Sequence, residues 1–547
     1  MLGTRDFKGM FPRISPRNLP TGAAQAAIDV WLDRGYPRPI AELEAVAGVP
    51  QFPAATRTIY RFDTDRWFAW DHDVHVARAP VVEDTTRRTI WTGDEYPRHT
   101  STTIMQGSAF VSPGVPVSRR LGIPAPDAEF PPMVARVAGG GFVADGDIRE
   151  THAYVYTFLS DLDEEGPPSN PSATVERAFD AEGNIQAVNI DTPVSLQGAY
   201  GVNRKRIYRT ATGTTGTSYR LLATIPLTQA RYVDTTQTAA LGDLLPSLDW
   251  DPPPDDLDGL IALPNGVLAG FLDRDVYFSV PYQPHAWPRD FIQTVDTDIV
   301  GLGNFGVNVV VGTVHKPYLI SGSQPSMAAA ARMEFEQPCV SKHSFATLDK
   351  QGVAFASPDG LVLVGPGGGE FISREMYTRA RWQALNPSEF RAVYHDGAWV
   401  GFTSERAIAL SDEMTGAVET TDEVTVIYRD PEHDAIYVLD NRVLKEWKTQ
   451  GPPRTMRWKS GLDTGHVRSY NAAQVIADGY PVTLKLFGDA DPNEENPTPV
   501  ATLTVTSKAP FRLPDTVRSY SDWEWEVSGL HGVQEVRIGL MMEMLGG

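Results

Sequence analysis

The chain has 547 residues, 41% of them hydrophobic, and carries 69 acidic against 48 basic side chains, for a formal charge of −21. That apolar fraction excludes a disordered chain, and the length exceeds one ordinary domain. The acidic excess argues against a protein that grips phosphates with clustered Lys and Arg, and the single cysteine, Cys339, rules out an internal disulfide and a cysteine-based zinc site.

In chain order, residues 1–50 stand apart from the rest. Met1 to Lys8 lacks the apolar core of a signal peptide. No apolar run approaches the roughly 18 residues of a membrane span, so the expectation is a soluble protein made in a reducing cytoplasm. Phe7 to Pro20 is an extended, proline-interrupted arm, because proline disfavours helix in the residue before it. Thr21 has the character of an N-cap, and Ala23, Ala26, Ala27, Val30 and Trp31 predict a short helix from Gly22 to about Leu32, closed near Gly35. Arm and helix together read as a docking element or a tied-down terminus.

Residues 51–149 begin the strand pattern. Ile59, Phe62, Trp67, Trp70, Val74 and Val76 fall in short runs between Asp-rich turns, and Thr89-Ile-Trp-Thr continues them. This stretch predicts one or two blades of a β-propeller. Residues 150–248 differ. Tyr154-Val-Tyr-Thr-Phe, Arg206-Ile-Tyr-Arg-Thr and Tyr219-Arg-Leu-Leu are short strands with turns at Asp163-Glu-Glu-Gly-Pro-Pro and Thr212-Gly-Thr-Thr-Gly. They suit an immunoglobulin- or fibronectin-like sandwich inserted between blades.

Residues 249–454 carry the clearest signal, a hairpin that returns about every 40 to 45 residues. Each copy is an apolar strand, a short polar turn and a second apolar strand. The turns fall at Asp273-Arg274, His315-Lys316-Pro317, Pro358-Asp359-Gly360, Ser404-Glu405-Arg406 and Asp440-Asn441. Such a repeat is the signature of propeller blades, six or seven in all. From residue 455 to 547 the repeat gives way to alternating strands, Met456-Arg-Trp-Lys-Ser, Val482-Thr-Leu-Lys-Leu-Phe, Ala501-Thr-Leu-Thr-Val and Trp523-Glu-Trp-Glu-Val. These predict a terminal β-sandwich or platform. The fold class is therefore all-β: a propeller, an inserted sandwich and a C-terminal β domain.

Motifs for chemistry are sparse. Gly365-Pro-Gly-Gly-Gly and Gly139-Gly-Gly141 lack a following Lys-Ser or Lys-Thr and open no helix, so they read as tight loops and not as phosphate cradles. His72 and His75 lie three apart, a spacing that on a strand sends them to opposite faces, which disfavours a shared metal. Asp489-Ala-Asp491-Pro-Asn493 opens like a calcium loop, but Glu494 stands where glycine is needed and Val500 where glutamate is needed. Asp249, Asp251, Asp255, Asp256 and Asp258 form the densest acidic cluster, on a proline-stiffened linker. It is either a solvated linker or a repulsive patch at a channel or subunit contact. No constellation predicts a catalytic residue, cofactor or metal.

The order of parts resembles the tail nozzle proteins of short-tailed bacteriophages, the tail tubular protein B family. The resemblance lies in Phe7-x-Gly-x-x-Pro with Leu19-Pro, in Trp67-x-x-Trp70 followed by Arg88-x-x-Trp91-Thr-Gly-Asp, in Tyr154-Val-Tyr-Thr-Phe with Glu164-Glu-Gly-Pro-Pro-Ser169, and in Trp458-Lys-Ser with Pro510-Phe-Arg-Leu-Pro514. It spans almost the whole chain, which is shorter than the longer members. It implies a structural virion protein without enzymatic activity: a homohexamer attached below the portal and its adaptor ring. Such a ring forms the distal channel for DNA ejection and a platform for tail fibres or spikes. It also implies assembly in the host cytoplasm and residence in the virion, with viral DNA passing an acidic lumen without specific binding. The competing readings are a carbohydrate-binding or glycan-degrading tail protein, which needs two carboxylates at a defined separation, and a monomeric propeller interaction protein.

Overall fold

The computed structural model describes every residue except 1, 108–109, 127–132, 139–147, 180–184, 194–197, 214–215, 350, 412–414, 490–496, 516, 518 and 546–547. The propeller is built from antiparallel meanders, numbered here as blades in ring order. Blade 1 is the hairpin Thr58–Asp63 with Arg66–Trp70. Blade 2 runs His75–Arg78, Thr89–Thr92, Arg98–Thr100, Arg119–Arg120. Blade 3 is Asp258–Ala262, Leu268–Leu272, Asp275–Phe278, Gln293–Thr294. Blade 4 is Ile299–Phe305, Asn308–Thr313, Tyr318–Ser321, Ala329–Arg332. Blade 5 is Ala346–Leu348, Gly352–Ala356, Leu361–Gly365, Gly368–Phe371. Blade 6 is Arg391–His395, Ala398–Phe402, Ala407–Ser411, Ala417–Thr420. Blade 7 is Ile427–Asp430, Ala435–Asp440, Val443–Trp447 and, as its fourth strand, Glu44–Ala45 from the N-terminal segment.

The repeated hairpins are the middle strands of blades 3 to 7. They read as unbroken apolar runs because neighbouring blades cover both faces: every residue of Gly352–Ala356, Leu361–Gly365 and Ala398–Phe402 is buried. In blade 7 the tight turn uses Asn441 and Arg442, both at positive φ (48° and 71°), the left-handed pair that matches the twist of a hairpin.

First strands of consecutive blades lie against one another: Asp258–Ala262 against His75–Arg78, Ile299–Phe305 against Asp258–Ala262, Ala346–Leu348 against Ile299–Phe305, and Arg391–His395 against Ala346–Leu348. Aromatic side chains pack the remaining seams. Phe402 of blade 6 meets Trp447 of blade 7 at 5.7 Å between ring centroids, and Trp67 of blade 1 meets Tyr437 of blade 7 at 5.0 Å. Trp70 of blade 1 meets Trp91 of blade 2 at 5.5 Å. The ring is thus in contact all the way round, with first strands innermost. Between blades 4 and 5 the Phe345 ring lies against Gly301, Gly303 and Gly312, where an added Cβ would come within 2.6–2.9 Å of it.

The inserted unit has three small sheets around one core. Val134–Val137, Val188–Asp191 and Arg231–Asp234 form one sheet, Ile148–His152 and Val175–Phe179 a second, and Tyr154–Ser160, Val202–Gly213 and Gly216–Pro226 the third. Tyr154, Tyr156, Phe158, Val188, Ile190 and Ile207 fill its centre. Because Val134–Val137 pairs with Val188–Asp191, the unit starts ahead of residue 150. In the C-terminal domain Leu2–Thr4, Val533–Gly539, Ala472–Ala477 and Phe511–Arg512 make one sheet. Met456–Ser460, Tyr520–Gly529, Val482–Gly488 and Ala501–Val505 belong to the other.

The N-terminal segment corrects one expectation. No helix forms over Gly22–Leu32; Ala24–Ile28 and Val30–Trp31 are strands. Alanine favours helix locally, but Ala24–Ile28 pairs antiparallel with Met456–Ser460 and bridges Glu419 of blade 6 through Ile28, and tertiary pairing overrides propensity. A continuous sheet therefore runs from blade 6 through the N-terminal strand into the C-terminal domain.

Candidate functional site

First strands are innermost, so the residues that begin them converge on the propeller axis. Six ionisable side chains meet there: Asp73 and His75 of blade 2, Asp258 of blade 3, Lys342 and His343 from the segment leading into blade 5, and Arg391 of blade 6. The Arg391 guanidinium donates to Asp73 at 2.5 Å, and His343 Nε2 lies 3.3 Å from the other carboxylate oxygen of Asp73. On the opposite side His75 Nδ1 is 2.9 Å from Asp258, whose second oxygen accepts from Lys342 Nζ at 3.3 Å. The two halves join through the imidazoles of His75 and His343, stacked 5.2 Å apart and 15° from parallel. The cluster therefore ties blades 2, 3, 5 and 6 together across the centre.

Its electrostatics are those of a brace. His343 and Arg391 hold the Asp73 carboxyl well below the usual range, against its partial burial. Burial works to raise Asp258, but His75, Lys342 and the Gly259 N–H outweigh it and keep that carboxyl low as well. Burial, together with the nearby Arg391 cation, depresses His343 to about 4 despite Asp73, so at neutral pH it is uncharged. Two ionised carboxylates face two cations, and neither carboxyl is poised to give up a proton near neutrality, which glycoside hydrolysis requires of its acid. Above this brace lies a cavity of about 850 Å³ opening on the face where the chain enters blades 1, 2, 5, 6 and 7.

A second cluster fixes the inserted unit to the ring. Glu164 is buried, paired with Arg88 of blade 2, and lies 3.1 Å from His285 Nδ1 in blade 3. His99, buried beside them, is pushed down to about 3 by desolvation and the neighbouring Arg88. Gly166 adjoins Ile123, and Arg119 donates to Asp161 at 2.6 Å.

The five linker aspartates have different surroundings within the subunit. Asp258 belongs to the axial brace. Asp251 accepts from Arg289 at 3.0 Å, Asp255 pairs with Arg120, and Asp249 and Asp256 are exposed. His72 lies in a bend ahead of the strand that His75 begins, so the alternation of a strand does not apply to the pair: His72 contacts Asp71 at 2.8 Å while His75 turns to Asp258. Gly365 to Gly369 is the turn between the last two strands of blade 5. The calcium-like Asp489 to Val500 stretch and Gly139 to Gly141 fall largely outside the described residues. Among those described, no group of His, Cys, Asp and Glu is placed to hold a metal ion. Cys339 is buried and its thiol is pushed up to about 12 by desolvation, which makes it inert.

Two buried neutral histidines give a pH dependence. Unfolded histidines take up protons near 6.5, whereas folded His343 and His99 do so near 4 and 3. Between those limits the unfolded chain binds more protons, so stability falls as pH falls. The expected result is a melting temperature several degrees lower at about pH 4.5 than at about pH 7. The double variant His99→Gln, His343→Gln should flatten that slope. Protonation of the depressed carboxylates Asp73, Asp258 and Glu164 adds to this loss from about pH 5 downward and dominates at lower pH. Equal melting temperatures at the two pH values would contradict the assignment.

The fold defines a β-propeller with an inserted β-sandwich and a C-terminal β domain. No family model and no curated protein matches the chain. Among solved structures it is similar to BamB from Moraxella catarrhalis at 12% identity and a TM-score of 0.26, over 49% of this chain and 81% of that one. It is also similar to the extracellular domain of the one component system BT4673 from B. thetaiotaomicron, at 10% identity and a TM-score of 0.25, over 64% of this chain and 46% of that one. A third is XC5397 from Xanthomonas campestris, a gluconolactonase, at 9% identity and a TM-score of 0.22, over 76% of this chain and 99% of that one. At such scores these likenesses carry no functional argument, and the propeller rests on the blade pairing above.

Proposed function

We propose that the chain is a structural, non-enzymatic protein of a short phage tail: a nozzle subunit that assembles as a homohexamer below the portal and adaptor. In this reading the six subunits surround the passage for DNA, and the passage does not run through any one propeller. The observation that supports a scaffold is the axial brace. Its carboxylates and cations are spent on each other across four blades, stiffening the ring. The weaving of the N-terminal strand into both propeller and C-terminal domain suits a part that bears load. The charge of −21 would let phosphates slide past the assembled wall. Fibres or spikes would dock on the outer surface, with assembly in the host cytoplasm and residence in the virion.

Negative-stain images and light scattering of the purified chain test this. Sixfold rings are expected, with a mass six times the 60.0 kDa of one chain. A monodisperse monomer at every concentration would overturn it.

A further inference from the structure

We propose that the axial cavity above the brace is a binding site for a neutral, hydroxyl-rich ligand, a saccharide unit of a surface glycan. The site lies within one propeller, so it does not depend on the hexamer. Its volume, about 850 Å³, is in the range of small-molecule sites. Its floor is the salt-bridged pair Asp73 and Arg391, and its rim carries Arg57 and Glu389, both exposed. Among the described residues Arg57 pairs with no carboxylate, while Glu389 accepts from the Ser404 hydroxyl at 3.2 Å. The hydroxyls of Ser388 and Thr425 complete the wall.

This lining discriminates among ligand classes. A phosphate or other compact anion would find Lys342 and Arg391 already paired, leaving Arg57 to oppose the charges of Asp73 and Glu389. A nucleobase would find no open phenyl face, because Phe402 is 1% exposed, and the His343 ring in the lining is already stacked on His75. An apolar ligand would have to desolvate both charged rims. A sugar hydroxyl donates and accepts at once, so it can give a hydrogen bond to Glu389 or Asp73 and take one from Arg57. Mixed-sign polar walls of this kind match a polyol.

The test is a broad glycan array probed with the full chain, followed by calorimetric titration of the strongest glycan. Inorganic phosphate and AMP serve as comparison ligands. Binding of at least one neutral glycan is expected, weakened about tenfold or more by Arg57→Ala or Glu389→Ala. Both positions are exposed, so the melting temperature of these variants should not move. Three results would overturn the site: no glycan above background, undiminished binding by the double variant, or binding of phosphate or AMP alone. Glycan binding by a monomer would sink the nozzle reading and leave the site standing. Rings that bind no glycan would do the reverse.

Discussion

Deleting residues 1–45 is expected to abolish cooperative folding. The segment supplies four separate structural roles. Leu2–Thr4 is the edge of a C-terminal sheet, Ala24–Ile28 joins blade 6 to Met456–Ser460, and Glu44–Ala45 completes blade 7. Asp29 is the fourth: it caps Thr421 and shares the buried Arg454 with Asp422. Phe7, Met10, Val30, Trp31 and Ile40 also sit in the largest apolar core, with Phe7 edge-on to Trp458 at 4.9 Å. At about 1.5–3 kcal/mol for each large buried side chain, the loss is on the order of 10 kcal/mol, comparable to the whole stability of a domain. Circular dichroism melts of the shortened chain should show no sharp transition, or the protein should be insoluble. A truncated chain melting within a few degrees of the intact one would refute the stapling role.

The same segment shows where sequence patterning stops being informative. Blades 3 to 7 are legible because their middle strands are covered on both faces, so burial is written as continuous apolar runs with polar turns. Ala23 to Leu32 is not legible in that way. Its alanines carry a helical preference of a few tenths of a kcal/mol per residue, and what decides its state is a partner more than 400 positions away. The boundary of the inserted unit is displaced for a similar reason: Val134–Val137 has a burial pattern too weak to announce itself and is claimed by Val188–Asp191.

The axial brace was hidden differently. Asp73, His75, Asp258, Lys342, His343 and Arg391 share no local spacing, and Arg391 reaches Asp73 across 318 positions. His75, Asp258 and Arg391 begin innermost strands, and Asp73, Lys342 and His343 lie two to four residues ahead of one. That position relative to the repeat is the one signal that would have singled them out. Reading the linker aspartates as a group obscured it, because only Asp258 begins a first strand.

The second large effect expected is from Asp234→Ala in the inserted unit. Asp234 is fully buried and accepts from Arg209 at 2.6 Å, from the Tyr154 hydroxyl at 2.9 Å and from the Thr236 N–H at 2.8 Å, with Arg177 at 3.4 Å. Both arginines are themselves 0% exposed. Removing the carboxylate leaves two guanidinium groups in the core, with the half-exposed Glu150, 3.9 Å from Arg177, as the remaining counter-charge among the described residues. Stripping a buried charge of its partner costs about 3–5 kcal/mol. Hydrogen exchange should then show lost protection in Tyr154–Ser160 and Val202–Gly213 before any loss in the middle strands of blades 4 to 6. The order matters, because the unit meets the ring through Glu164, Arg88 and His285. If that junction transmits the damage, blades 2 and 3 will lose protection together with the insert. Unchanged exchange in the insert of the Asp234→Ala protein would show that its core is held by packing alone.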